Sequence, residues 1–214
     1  MAKPLKLIIF DLDGTLVNAY KAVASSVNFS FKQVGMAPLD DATIKRSVGW
    51  GDRHLLSLFV KPLLLDKIHK IYRRHHRQAL LSGTKFMPGA KRLLNHLRRK
   101  KYRLAIASNR PTAYSLIILK RLQIRHLFDH VLCADKVKKG KPAPDILFHI
   151  LRKSAVSAKE ALYVGDMTID VLAGKRAGIK TIAVATGSSK RKDIARLKPD
   201  AIISNIFELQ GLIA

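Results

Sequence analysis

The sequence predicts an α/β protein in which a parallel sheet has helices on both faces and a small helical insert follows the first strand. Short apolar runs bounded by polar residues recur along the chain, and segments with helical spacing lie between them. Such alternation is typical of βαβ units, whose parallel strands are joined by helices. The 214 residues, of which 48% are hydrophobic, can form the core of one such domain with an insert.

The predicted strands are short apolar runs, as expected for strands that are buried on both faces. In chain order they lie at 5–10, 103–107, 130–134, 161–164, 181–185 and 201–203. The predicted helices of the same domain lie at 90–101, 112–122, 145–151 and 168–177. Pro144 is expected at the first position of the third of these helices, and Gly178 at the C-terminal cap of the fourth.

The stretch 19–86 interrupts this alternation. It contains no convincing strand, its apolar residues fall mostly at helical spacing, and Pro38 and Pro62 separate helices. We therefore expect a core formed by residues 1–18 and 87–214 and a helical insert formed by residues 19–86.

The composition excludes several classes of protein. Cys133 is the single cysteine, which excludes a disulfide framework and a zinc site built from several cysteines. No apolar run approaches the ~18 residues needed to span a membrane, and the run 7–10 is too short for a signal peptide. We expect a soluble, cytoplasmic protein, a monomer or a homodimer, with no membrane partner. The 40 Lys and Arg residues outnumber the 15 Asp and Glu residues, and the net charge of +25 predicts an anionic partner, either nucleic acid or a smaller molecule.

Four carboxylates stand out in a chain with few acids. Asp11 and Asp13 follow the first predicted strand, and Asp166 and Asp170 follow the fourth. In an open parallel sheet, residues that follow the strands meet at one edge, where binding sites form. A hydroxyl at the end of the second strand and a basic loop after the third should reach the same edge. Carboxylates suit Mg²⁺ bound together with a substrate phosphate, and the set therefore predicts phosphoryl transfer.

Four segments, in this order, resemble the four motifs of the haloacid dehalogenase-like phosphohydrolase superfamily. The first is Asp-Leu-Asp-Gly-Thr-Leu-Val at 11–17, and the second is Ser-Asn-Arg-Pro at 108–111. The third is the lysine of Gly-Lys-Pro-Ala-Pro-Asp at 140–145, and the fourth is Gly-Asp-Met-Thr-Ile-Asp at 165–170. These segments span nearly the whole chain, and the resemblance implies a Rossmann-like core with a cap over its active site.

The resemblance implies a catalytic role for each motif. Asp11 is the expected nucleophile, which forms an aspartyl-phosphate that water hydrolyses. Asp13 is the expected general acid and base, and an aspartate at this position argues against the dehalogenase branch. Lys141 and Ser108 are expected to hold the phosphoryl oxygens. Two other lysines of the same loop are rivals on composition alone, but the Pro-X-Pro that follows Lys141 favours it.

The resemblance also implies binding residues. The expected cofactor is Mg²⁺, and its implied ligands are the carboxylates of Asp11 and Asp166 and the backbone carbonyl of Asp13. Asp170 is implied to complete the metal site, either directly or through water. Two further motif residues are assigned to substrate binding, Thr15 and Asn109.

The insert 19–86 lies between the first and second motifs, where this superfamily places its C1 cap. Such a cap closes over the site and excludes water. Within it, the segment 47–56 resembles the substrate-specificity loop of phosphoglycolate phosphatases. Arg53 in this loop is a candidate for binding a substrate carboxylate, and a solvated charge on the cap is the equal alternative. The residues Asn18 and Ala19 depart from the Asp-Ser of many relatives, which weakens the subfamily assignment and leaves the chemistry unchanged.

The leading prediction is therefore a Mg²⁺-dependent phosphatase of a small, anionic, phosphorylated metabolite, most like the phosphoglycolate phosphatases. A phosphosugar mutase of the β-phosphoglucomutase type shares the cap and stays an alternative that product analysis would separate. A nucleic-acid-binding protein on the same scaffold is a third hypothesis, prompted by the basic composition. It is not favoured, because the motif carboxylates are all in place and aromatic residues do not interleave with basic ones.

Overall fold

A six-stranded parallel sheet forms the centre of the computed structural model, which describes residues 4–213. The strands, in chain order, are β1 (Leu7–Phe10), β2 (Val17–Asn18), β3 (Lys85–Phe86), β4 (Arg103–Ser108), β5 (His130–Cys133), β6 (Ala161–Gly165), β7 (Lys180–Val184) and β8 (Ala201–Ile203). The sheet has the order β5-β4-β1-β6-β7-β8, and all neighbouring pairs in it are parallel. Because β1 lies between β4 and β6, the residues that follow these three strands adjoin at one edge of the sheet.

Helices cover both faces of this sheet. In chain order they are α1 (Tyr20–Lys32), α2 (Asp41–Ser47), α3 (Asp52–Ser57), α4 (Pro62–Ser82), α5 (Ala90–Arg99), α6 (Thr112–Arg121), α7 (Asp145–Ser154), α8 (Thr168–Ala177), α9 (Arg191–Arg196) and α10 (Leu209–Leu212). Short 3₁₀ turns lie at Arg125–Leu127, Ala134–Lys136, Ala158–Glu160 and Ile206–Glu208. Among the helices of residues 4–213, none is both long enough and apolar enough to cross a membrane.

Side chains of β1 alternate between two apolar clusters, one on each face of the sheet. Ile8 and Phe10 pack into the first cluster, and Leu7 and Ile9 pack into the second. All four side chains are buried, which explains why the strand is a continuous apolar run in the sequence. The predicted α/β class, with a parallel sheet and helices on both faces, is confirmed.

The ends of the predicted core elements agree with the structure to within three residues. Gly178 has a left-handed φ of 67° and ends α8, as predicted. Pro144 is the N-cap of α7 rather than its first residue, so that prediction is wrong by one position. The carbonyl of Pro144 accepts the first bond of the helix, from the backbone N–H of Phe148 at 2.9 Å, while α7 itself begins at Asp145.

The stretch 19–86 forms the four helices α1 to α4, whose apolar side chains share a cluster separate from those of the sheet. It ends in β3, which pairs antiparallel with β2 so that Val17 lies opposite Phe86. The expectation that this stretch contains no strand is wrong at Lys85–Phe86, because two residues are too few to show a period of two. The strand pair brings the two ends of the helical stretch together at the core.

Candidate active site

The carboxyl edge of the sheet collects the residues that the motifs single out. Asp11 follows β1, Ser108 ends β4, and Asp166 follows β6. Asp170 lies in the first turn of α8, and Lys141 lies in the loop before α7. All five side chains are buried although they are polar or charged. Such burial requires that they satisfy one another or bind a ligand.

Lys141 is the central cation of this group. Its Nζ lies 2.6 Å from Oδ1 of Asp11, 2.7 Å from Oδ1 of Asp170, 3.0 Å from the carbonyl of Ala107 and 3.1 Å from the hydroxyl of Tyr163. Burial alone would lower the pKa of Lys141, but the charges of Asp11 and Asp170 outweigh burial and raise the pKa above its usual value. The side chain is therefore a permanent positive charge inside the acidic site.

The two rival lysines of the same loop lie elsewhere. Lys138 and Lys139 are exposed, whereas Lys141 is buried. The structure thus brings only one lysine of this loop to the carboxylates.

Asp11, Asp166 and Asp170 form an acidic trio in which one ligand oxygen from each residue lies within 4.8 Å of the others. Burial raises the pKa of Asp11 to about 7, although the charge of Lys141 opposes this shift. Burial and the charge of Asp11 raise the pKa of Asp166 well above its usual value. The charge of Lys141 alone therefore does not keep the whole trio ionised, and the oxygen ligands of the trio suit a hard divalent cation.

Asp166 shows most directly that a cation fits here. Its Oδ1 accepts a hydrogen bond from Oγ1 of Thr15 at 2.8 Å, but its Oδ2 has no hydrogen-bond partner among the described residues. A Cβ added to Gly14 would lie 2.5 Å from this Oδ2, and a Cβ added to Gly187 would lie 1.5 Å from it. A buried carboxylate oxygen without a donor is costly unless a cation binds it. The residues present therefore fit a metal ion.

Asp13 is held by an arginine that the sequence prediction did not select. Nε of Arg110 lies 2.7 Å from Oδ2 of Asp13, and Nη2 of Arg110 lies 2.9 Å from Oδ1. Nη1 of the same guanidinium lies 2.7 Å from Nε2 of His76, on α4. Burial, together with the charge of Arg110, lowers the pKa of His76 to about 2. His76 is therefore neutral and accepts the hydrogen bond.

Arg110 and His76, which the sequence prediction did not select, each have a recognisable feature in the sequence. Arg110 lies inside the second motif, directly before Pro111. His76 continues the buried face of α4 at a spacing of four residues from Ile68 and Tyr72, although it stands among exposed basic residues. The partners of these residues lie far away in the chain, and no local pattern predicts them.

The side chains that were expected to bind substrate lie in different surroundings. The hydroxyl of Thr15 is used by Asp166, as described above. The amide of Asn109 donates to the carbonyls of Gly49 and Lys141 at 3.0 and 2.9 Å and accepts from the backbone N–H of Lys141 at 2.8 Å. Arg53 is 55% exposed, forms an ion pair with Asp66, and does not line the cavity over the carboxylates. Asn109 therefore joins the lysine loop to the insert, and Arg53 is not brought to the site.

A cavity of about 60 Å³, lined by Asp11, Asp13, Ser108 and Lys141, lies between the sheet domain and helices α1, α3 and α4. The insert contributes mainly apolar and aromatic walls to it, from Val23, Val48, Leu55 and Tyr72. The volume is well below the ~300 Å³ at which ligand pockets typically begin, so the closed site favours a small substrate.

The loop before α3 closes this cavity. The carbonyl of Gly49 accepts the hydrogen bond from Asn109, and a Cβ added to Gly49 would lie 2.3 Å from the sulfur of Met167. The insert therefore contacts the motif loops directly at this point.

Comparisons with known proteins agree with this geometry. The family model for haloacid dehalogenase-like hydrolases matches residues 8–184. A phosphoglycolate phosphatase from Nitrosospira multiformis is 31% identical, with 98% of this chain and 96% of that protein covered. A phosphoglycolate phosphatase from Aquifex aeolicus is also 31% identical, with 87% of each protein covered.

Solved structures share the whole fold. The structure of a predicted phosphoglycolate phosphatase from Haemophilus somnus has a TM-score of 0.93 and 25% identity, with 100% of both chains covered. A haloacid dehalogenase-like family hydrolase from Streptococcus pneumoniae has a TM-score of 0.90 at 24% identity, with 98% of this chain and 99% of that chain covered. The second likeness supports the fold alone.

Proposed function

The chain belongs to the haloacid dehalogenase-like hydrolases, and we propose that it is a magnesium-dependent phosphatase that hydrolyses a small phosphorylated metabolite through an aspartyl-phosphate. The observation that carries this proposal is the ion pair of Lys141 with Asp11 inside the buried acidic trio. A nucleophilic carboxylate needs a cation beside it to accept a negatively charged phosphoryl group, and this arrangement supplies one.

Asp11 is the proposed nucleophile. Its carboxylate attacks the phosphorus atom, the bond between phosphorus and the leaving oxygen breaks, and the phosphoryl group becomes attached to Asp11. Water then attacks the same phosphorus, which releases inorganic phosphate and restores the carboxylate. The position of Asp11 directly after the central strand, within the cavity, supports this role.

Asp13 is the proposed general acid and base. It donates a proton to the leaving oxygen in the first step and takes a proton from the attacking water in the second. Its side chain lines the same cavity as Asp11, two residues away, and Arg110 fixes its orientation through two hydrogen bonds. A carboxylate held in this way stays in position for both steps.

The proposed metal ligands are the carboxylates of Asp11, Asp166 and Asp170 and the backbone carbonyl of Asp13. Bound Mg²⁺ would offset the charge of the phosphoryl oxygens and of the acidic trio. The Oδ2 of Asp166, which has no hydrogen-bond partner within residues 4–213, supports a cation at this position. Two further side chains, Lys141 and Ser108, are proposed to bind the phosphoryl oxygens.

The proposed substrate class is a small phosphomonoester like phosphoglycolate, which the curated relatives are named for. The volume of the cavity between the sheet domain and the insert supports a small molecule.

We also propose that residues 19–86 are a cap on a core formed by 1–18 and 87–214, since the helices of this stretch have an apolar cluster of their own. A cytoplasmic location and a monomeric or dimeric state remain predictions from the sequence.

The alternatives are less well supported. The relatives named above are phosphatases rather than mutases, and the closed cavity has no room for a nucleic-acid duplex. A panel of phosphorylated metabolites, incubated with the protein and Mg²⁺, tests the proposal by the release of inorganic phosphate. We expect release from a small phosphomonoester and from p-nitrophenyl phosphate. An isomerised phosphosugar without phosphate release would establish the mutase instead.

A further inference from the structure

Arg110 is a buried cation whose donors are not all used by the protein. Its side chain is only 8% exposed, yet it lines the same cavity as Asp11 and Lys141. A guanidinium has five N–H groups. Two of them donate to Asp13 and one to His76, which leaves one N–H on each terminal nitrogen without a partner among the described residues. Buried donors of a charged group are costly to leave unpaired, so these two indicate a ligand.

The insert holds the arginine in place. The hydroxyl of Ser26 donates to the carbonyl of Ala22 at 2.7 Å, so its oxygen is free to accept from Nδ1 of His76 at 3.0 Å. This bond assigns the proton of His76 to Nδ1 and leaves Nε2 as the acceptor for Arg110. The guanidinium is thus fixed from the core by Asp13 and from the insert by His76, and its orientation is set before a ligand arrives.

The position of Arg110 suits a group close to the phosphoryl site. Arg110 lies two residues after Ser108, and its carboxylate partner Asp13 lies two residues after Asp11. Among the described residues that line the cavity, Lys141 is the other lysine or arginine, and the proposed function already assigns it to the phosphoryl oxygens. Arg110 is therefore the cation that remains for a second acidic group on the same small substrate.

We infer that Arg110 binds a carboxylate of the substrate and thereby selects short phosphorylated carboxylic acids over neutral phosphomonoesters. The two remaining N–H groups of its terminal nitrogens match the two oxygens of a carboxylate. The inference rests on the proposed phosphatase function and deepens it, because it names the residue that recognises the part of the substrate not hydrolysed. It assigns this role to Arg110 in place of Arg53.

The test compares two substrates that differ only in the carboxylate, 2-phosphoglycolate and ethyl phosphate. The kcat/KM of each is measured with Mg²⁺ for the wild-type protein, Arg110→Gln, Arg110→Lys and Arg53→Lys. Arg196→Lys, at an exposed ion pair on α9, is the matched control for the replacement of an arginine by a lysine. Thermal unfolding of each variant shows whether it is folded.

We expect the wild-type protein to prefer 2-phosphoglycolate. Loss of two charge-assisted hydrogen bonds in Arg110→Gln should reduce kcat/KM for 2-phosphoglycolate ~100-fold more than for ethyl phosphate. Arg110→Lys keeps the positive charge but not the two parallel N–H donors of the guanidinium. This variant should therefore lose part of the preference for 2-phosphoglycolate. It also replaces Arg110→Gln as the test if that variant does not fold. Arg53→Lys and Arg196→Lys should keep the preference.

Three results would overturn the inference. Equal losses on both substrates in the Arg110 variants would mean that Arg110 only orients Asp13 or the phosphoryl group. If Arg53→Lys instead lost kcat/KM selectively for 2-phosphoglycolate, Arg53 in the insert would be the residue that binds the carboxylate. If the wild-type protein had the same kcat/KM for ethyl phosphate and 2-phosphoglycolate, it would not recognise the carboxylate, although the phosphatase function would still hold. Failure of the proposed function itself looks different, because no phosphomonoester would then be hydrolysed.

Discussion

Nζ of Lys141 lies 2.6 Å from Oδ1 of Asp11, which joins two buried residues that are 130 positions apart in the chain. The same nitrogen lies 2.7 Å from Oδ1 of Asp170, so one ammonium group bridges two members of the acidic trio. Three carboxylates at this edge of the sheet would repel one another without that charge. Lys141 is therefore expected to act on both the stability and the chemistry of the site.

Removal of this charge is expected to weaken the fold and abolish activity. Lys141→Met leaves the trio buried without its cation, which should cost about 3–5 kcal/mol of unfolding free energy without Mg²⁺. Phosphate release should fall ~1000-fold, since the phosphoryl oxygens lose their cationic partner. Chemical denaturation and p-nitrophenyl phosphate hydrolysis measure the two effects. Lys139→Met, at an exposed position of the same loop, is the control and should change neither; a comparable loss there would contradict the assignment.

A methyl group beside Asp166 is expected to block the metal site. The Cβ of Gly187→Ala would lie 1.5 Å from Oδ2 of Asp166, a distance that forces the carboxylate or the loop to move. We expect at least ~100-fold lower activity and a weaker response to Mg²⁺. Gly211→Ala, in α10, is the matched control and should keep full activity, because among residues 4–213 no atom outside the local helix backbone lies within 4 Å of its added Cβ. Normal Mg²⁺-dependent activity in Gly187→Ala would argue against a cation at this oxygen.

Mg²⁺ is expected to stabilise the folded protein. At a concentration 100 times its Kd, a ligand that binds only the folded state adds about 2.7 kcal/mol. For a chain of this length, that should raise Tm by roughly 5–10 °C. Differential scanning fluorimetry with and without Mg²⁺ measures the shift, and EDTA should reverse it. Asp166→Asn keeps the shape of the side chain and should lose most of the shift; an unchanged shift would place the ion elsewhere.

The acidic trio is expected to make stability depend on pH. The pKa of Asp11 is about 7 in the folded protein, above its ordinary value of 3.8, because of burial. The folded protein therefore holds a proton that the unfolded chain has released, so the metal-free protein should lose stability as pH rises from about 4 to about 7. Mg²⁺ competes with this proton, and its affinity should rise over the same range. Mg²⁺ titrations of Tm at several pH values test this; an affinity that is constant from pH 5 to 8 would contradict it.

The hydroxyl of Tyr163 is expected to position Lys141 and Asp170. It donates to Oδ1 of Asp170 at 2.6 Å and lies 3.1 Å from Nζ of Lys141. Tyr163→Phe should lower kcat ~10-fold with little effect on KM, since Tyr163 is not among the described residues that line the cavity. Tyr102→Phe, which removes a hydroxyl bonded to the carbonyl of Ile213, is the control. An unchanged kcat in Tyr163→Phe would show that the other contacts of Lys141 are sufficient.

The sequence was sufficient for the sheet and for the acidic trio. Strands buried on both faces are continuous apolar runs, and residues after parallel strands must meet at one edge. Asp11 and Asp166 could therefore be selected before their contacts were known, and Lys141 could be selected because the segment 140–145 resembles the third motif. Lys85–Phe86 escaped prediction because a two-residue strand has no period.

Contacts between the insert and the core were beyond prediction. The salt bridge of Arg110 with Asp13 and its contact with His76 depend on how α4 packs over the sheet, which no local pattern encodes. Arg53 was selected from its place in the segment 47–56, but α3 buries Leu55 and Leu56 and leaves Arg53 exposed. Whether Arg53 reaches the cavity depends on the direction of its side chain on α3. The sequence of the segment 47–56 alone does not determine that direction.

Acid quenching during turnover tests the central proposal most directly. Wild-type protein mixed with p-nitrophenyl phosphate and Mg²⁺ and quenched within the first turnovers is digested and analysed by mass spectrometry. We expect one phosphoryl group on the peptide that contains Asp11, absent from Asp11→Asn, together with the loss of hydrolysis in that variant. Asp193→Asn, at a half-buried position of α9, should behave as the wild type. Continued hydrolysis by Asp11→Asn, or a phosphoryl group on another residue, would contradict the covalent role of Asp11.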